Sequence, residues 1–94
     1  MILFIAIFMI PTNLQSADKE YGEYLSSECK ACHTSSKASS SGIPPLNGKS
    51  FDYIVTALEE FKDKKRASPI MHMIAKALDK EQINALAAYF SSLK

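Results

Sequence analysis

The chain has 94 residues and a formal net charge of +1. That length allows one domain at most. The near-balance of charge excludes the strongly basic surface of a nucleic-acid-binding protein and points to no long-range electrostatic partner.

Residues Ile2 to Ile10 form a continuous apolar run that Pro11 ends, and a polar stretch follows to the small residues Ser16 and Ala17. This is the layout of a secretory signal peptide over 1–17, cleaved after Ser16 or Ala17. No Lys or Arg precedes Lys19, so only the α-amino group carries positive charge there. The run falls short of the roughly 20 apolar residues that span a bilayer. The expected domain is 18–94, with no membrane span. A domain that small has little core of its own.

The first helix is predicted from Asp18, a good N-cap, to the pentapeptide Cys29-Lys30-Ala31-Cys32-His33. Tyr21, Leu25, Cys29 and Cys32 recur at helical spacing and share one face. Gly22 costs this helix about 1 kcal/mol relative to Ala. It is either tolerated, or a second helix crosses closely there.

The pentapeptide matches the C-x-x-C-H signature of covalent c-type haem attachment. The thiols of Cys29 and Cys32 add across the two haem vinyl groups as thioethers, and the His33 imidazole takes the proximal iron position. A zinc site wants four ligands, but there is no third cysteine and His72 is the only other histidine. A thioredoxin-like pair wants a βαβ setting, and no strand pattern is visible. A disulfide would leave the adjacent His33 unexplained. The expected cofactor is therefore one covalently attached haem c, whose apolar bulk makes cofactor and fold interdependent. Such haem is attached outside the bacterial cytoplasm, which agrees with the leader and implies a periplasmic location.

Thr34 to Gly42 reads as a Ser-rich solvated loop, and Ile43 to Gly48 as a stiff turn that Pro44 and Pro45 keep out of helix. A second helix is predicted from Ser50 as N-cap to about Lys65, with Phe51, Ile54, Val55, Leu58 and Phe61 as its apolar stripe. Lys62, Lys64, Lys65 and Arg66 cluster at its end, as the helix dipole favours; such a cluster is more often a solvated helix end than a docking site. After Pro69 a short helix or loop over Ile70 to Leu78 leads into a last helix. That helix starts at Asp79 with Gln82 in a capping-box arrangement, and buries Ile83, Leu86, Ala87, Phe90 and Leu93. The fold class is all-α.

A six-coordinate haem needs a second axial ligand, and methionine sulfur is the usual choice for electron transfer. Met1 and Met9 fall in the leader, leaving Met71 and Met73, with His72 between them. The order of motifs, from C-x-x-C-H through Pro44-x-Leu46-x-Gly48, Phe51-x-Tyr53-Ile54, Phe61, Arg66 and Met71-x-x-Ile74-Ala75 to Leu86-Ala87-Ala88-Tyr89-Phe90, resembles the small class I bacterial cytochromes c across the whole of 18–94. The segment Ile70 to Lys76 is particularly similar to the cytochrome subunit of flavocytochrome c sulfide dehydrogenases, and the haem domains of periplasmic dihaem cytochromes are nearly as close.

The resemblance implies three main helices plus a short one around the haem, and Met71 as the second axial ligand. It further implies that the Pro44 carbonyl accepts a hydrogen bond from His33, that Tyr53 and Arg66 approach a haem propionate, and that Gly22 meets Tyr89 or Phe90 where the first and last helices cross. Thr34 departs from the Gly that often follows the haem histidine in these families. The function implied is a single-electron carrier with redox proteins as donors and acceptors, not itself an enzyme. One alternative is the haem subunit of a sulfide dehydrogenase, taking electrons from FAD on a partner flavoprotein chain. Another is a haem sensor or gas-binding protein with a labile sixth ligand.

Overall fold

The computed structural model describes residues 14–33 and 43–93. Most of the expected leader and the Ser-rich loop therefore lie outside the described residues. Five helices are present among those described, and no strand: α1 (Leu14–Leu25), α2 (Ser27–Cys32), α3 (Phe51–Lys62), α4 (Pro69–Lys76) and α5 (Lys80–Ser92). With α1 and α2 as two parts of one arm, this is the expected three main helices plus a short one.

The first helix departs from expectation at two points. It begins at Leu14, so Asp18 lies inside it and does not cap it. It is also divided at Ser26, which is fully buried. The Ser26 hydroxyl donates to the Glu23 carbonyl at 2.6 Å and the Ser26 N–H reaches the same oxygen at 3.2 Å. A serine that bonds back three residues tightens the turn and competes with the regular helical ladder. The chain restarts at once as α2, carrying both cysteines.

The two later N-caps are as the sequence dictates. Ser50 Oγ accepts from the Tyr53 N–H at 3.1 Å. Asp79 and Gln82 form the full capping box, at 2.8 and 2.9 Å. Ser68, ahead of Pro69, caps α4 by accepting from the Met71 N–H at 3.2 Å; proline is well placed in a first turn, where its missing N–H is not needed. The end of α3 corrects the expected boundary near Lys65. Lys64 turns to φ 61°, the Lys65 N–H reaches the Glu60 carbonyl at 2.7 Å and the Lys64 N–H reaches that of Phe61 at 3.2 Å. This is a Schellman ending, which closes the helix at Lys62.

Helix α5 is the centre of the packing, with α1 on one side and α3 on another, while α4 rests on α3. Its buried face is wider than a single stripe: Ala85 and Tyr89 join Ile83, Leu86, Ala87 and Phe90, whereas Leu93 caps the helix and is half-buried. Two neighbours require two faces. Gly22 is buried at the crossing of α1 and α5, against Ala85 and Tyr89, which settles its role as a close-approach glycine. Ile54 and Leu58 carry the packing of α3, and Phe51 at its first turn stays exposed. The turn from Leu46 to Lys49 holds Gly48 at φ 79°, and the Gly48 N–H satisfies the Phe90 carbonyl near the end of α5 at 3.0 Å.

Candidate functional site

One cleft of about 360 Å³ opens between α2, the 43–46 segment, α3 and α4, with α5 at its base. Its walls are mostly aliphatic and aromatic. Leu86 and Phe90 come from α5, Ile54, Leu58 and Phe61 from α3, and Ile74 from α4. Polar groups enter at few places, which is the pattern of a site for a large apolar ligand.

The C-x-x-C-H residues form one side of this cleft. Cys29, Cys32 and His33 all line it, because Cys29 and Cys32 lie three residues apart on the single short helix α2. The two cysteines are not joined to each other by a disulfide. Burial, aided by the Glu28 carboxylate, pushes the Cys29 thiol above its ordinary pKa. His33 follows α2, and its Nδ1 donates to the Pro44 carbonyl at 2.5 Å. A carbonyl can only accept, so Nδ1 carries the proton, and in the neutral imidazole Nε2 then keeps its lone pair. The ring is thus fixed in orientation with its metal-binding nitrogen available, the usual supporting arrangement for a ligating histidine.

Met71 also lines the cleft, on α4, and packs against the core. Of the three candidates in this segment it is the one turned inward. Met73 is 65% exposed, and the His72 ring is taken by the Phe61 carbonyl at 2.9 Å. Cys29, Cys32, His33 and Met71 are thereby brought to one cavity. Among the described residues no three His, Cys, Asp or Glu side chains converge as a metal cluster. The cleft's apolar walls, paired thiols and imidazole with a free Nε2 together fit a covalently bound haem.

Tyr53 and Arg66 stand together at the cleft. The Arg66 guanidinium lies 5.9 Å from the Tyr53 ring centre and 5.4 Å from that of Phe61, and pairs with Glu60 at 2.9 Å. Lys49 approaches the Tyr53 ring at 5.3 Å.

Three contacts around the site were not foreseen from sequence. Lys30, between the two cysteines, sets its ammonium 4.9 Å from the Tyr89 ring centre and ties α2 to α5; hydrogen bonding to Tyr89 raises the Lys30 pKa. His72 bonds to Phe61, and Lys62 Nζ donates to the Leu78 carbonyl. All three join residues distant in sequence, and no local pattern signals them. The inward turn of Ile74 had a signal: it lies three residues after Met71, on the same helical face.

A family model for cytochrome c matches residues 20–94. The cytochrome subunit of sulfide dehydrogenase from Chlorobaculum tepidum is 46% identical over 72 residues, covering 77% of this chain and 66% of that protein. Cytochrome c-552 from Acidithiobacillus ferridurans is 35% identical over 65 residues, 69% of this chain and 28% of that protein. The thiosulfate dehydrogenase electron acceptor from Thiomonas intermedia is 37% identical over 68 residues, 70% of this chain and 31% of that protein. The chain thus spans about two thirds of the first relative's length and under a third of the other two. Motif, cleft and family match agree: this chain belongs to the cytochrome c family.

Proposed function

We propose that the chain is a mono-haem electron carrier of the periplasm, exported by its N-terminal leader. The observation that carries this reading is the convergence of Cys29, Cys32, His33 and Met71 on one apolar cleft. Haem supplies one-electron chemistry between ferrous and ferric iron. Cys29 and Cys32 would tether it, and His33 through Nε2 and Met71 through its thioether sulfur would hold the iron. Tyr53 and Arg66 are the groups for a propionate, with Arg66 a fixed cation at the cleft rim. The apolar walls from α3 and α5 exclude water, which keeps reorganisation small. If His33 and Met71 both held the iron, no position would be left on it for a substrate. This favours a carrier over a gas sensor, in which the sixth ligand is labile. Among the described residues no helix is long and apolar enough to cross a membrane.

A second reading is a fixed haem subunit that takes electrons from a flavoprotein partner. The 46% identity to a sulfide dehydrogenase cytochrome subunit favours it. The two readings share the same haem chemistry and differ in the partner.

The test is direct. Purified protein keeps its haem through acid–acetone extraction, its pyridine haemochrome shows two thioethers, and the reduced form binds carbon monoxide poorly. Haem released into the solvent overturns covalent attachment, and ready carbon monoxide binding moves the function to a sensor. Co-purification with a flavoprotein, and haem reduction when sulfide is added to that complex, establishes the subunit. A free monomer reduced equally by unrelated donors is a general carrier.

A further inference from the structure

We propose that His72 is a positioning residue for Met71, holding α4 so that the Met71 sulfur faces the cleft. The inference rests on Met71 as the axial ligand. Helix α4 has eight residues, too few to be stable alone, and among the described helices it packs only on α3. Its placement therefore depends on how α3 holds it.

The last turn of α3 supplies two grips from adjacent residues. The Phe61 carbonyl accepts from His72 Nδ1 at 2.9 Å, in the middle of α4. Lys62 Nζ donates to the Leu78 carbonyl, just past the end of α4. Phe61 is well suited to this: its carbonyl accepts the Lys64 N–H at 3.2 Å and has a second lone pair for His72, and its side chain lines the cleft. The same residue thus joins the cavity wall to the helix that carries the sulfur. His72 itself does not line the cleft and is half-buried.

Neighbouring residues on a helix differ by about 100° in direction. Anchoring His72 consequently fixes the rotation of α4 and with it the direction of Met71. If α4 rolls, the sulfur leaves the cleft, and Met73, now exposed, changes its facing too.

The test uses the ferric holoprotein and reads competition for the sixth position by exogenous imidazole, together with the near-infrared band of methionine bound to ferric iron. His72→Leu keeps the covalent haem but weakens the band and raises imidazole affinity about five- to tenfold, the size of one lost hydrogen bond. His72→Asn places an amide N–H near the position of Nδ1 and returns imidazole affinity to within about twofold of native, again one bond's scale. His72→Gln reaches past that position and behaves like His72→Leu. If His72→Leu fails to assemble, the Asn and Gln variants decide between them. Native imidazole affinity in His72→Leu, or equal behaviour of Asn and Gln, overturns the proposal. Failure of the ligand assignment looks different: Met71→Leu then leaves the native band unchanged, whatever stands at position 72.

Discussion

Gly22 and Ala85 touch backbone to backbone. A Cβ built on Gly22 would come within 2.0 Å of the Ala85 carbonyl oxygen and 2.7 Å of the Tyr89 Cβ. Neither obstacle is the end of a flexible side chain, so helices α1 and α5 can meet at this distance only if position 22 has no side chain. The glycine that weakens α1 locally is what lets it dock.

Gly22→Ala therefore destabilises the protein, although alanine is the better helix former by about 1 kcal/mol. Forcing an atom into a packed contact costs about 1–3 kcal/mol or more, and the crossing must open to admit it. Thermal unfolding of the holoprotein should shift down by about 4–8 °C for each kcal/mol lost. An unchanged or raised Tm would show that the crossing is loose.

The near-infrared methionine-to-ferric-iron band should vanish in Met71→Leu and persist in Met73→Leu. Met71 lines the cleft while Met73 is in solvent. The reverse result would transfer the ligand to Met73, and a band unaffected by either change would remove methionine from the site.

Without haem the cleft leaves the side chains of Phe61, Met71 and Ile74 partly open to water. Each such residue is worth about 1.5–3 kcal/mol when fully buried, and a domain of this size has little else to offset the loss. Cys29→Ser/Cys32→Ser protein free of cofactor should lose cooperative melting and most near-ultraviolet dichroism. A sharp melting transition in that protein would show that the helices suffice alone.

Asp79 and Gln82 close the start of α5 through two reciprocal bonds. Asp79→Ala should cost about 1 kcal/mol, measured as a lower denaturant midpoint with unchanged slope. Asp79→Asn should recover most of it, because the amide oxygen still accepts from the Gln82 N–H. Equal loss in both variants would point to the carboxylate charge rather than the hydrogen bond.

Much of this protein is legible along the chain. Caps are local: Ser50 and Asp79 need partners only three residues away, so their hydrogen bonds follow from the sequence. The same holds for the apolar periodicity of α3 and α5 and for the C-x-x-C-H pentapeptide, whose chemistry is written in consecutive residues. The tertiary structure decided what depends on residues far apart. It placed Pro44 against His33 at 2.5 Å, chose the inward methionine from a segment holding two, and gave α5 a second buried face through Ala85 and Tyr89. It also ended α3 at Lys62 by a left-handed lysine, where the expected residues carry no glycine to mark the stop. That ending is local, but the other three share one physical reason. Helical periodicity reports that a residue faces something, but which element it faces, and how many, is settled only when the helices pack.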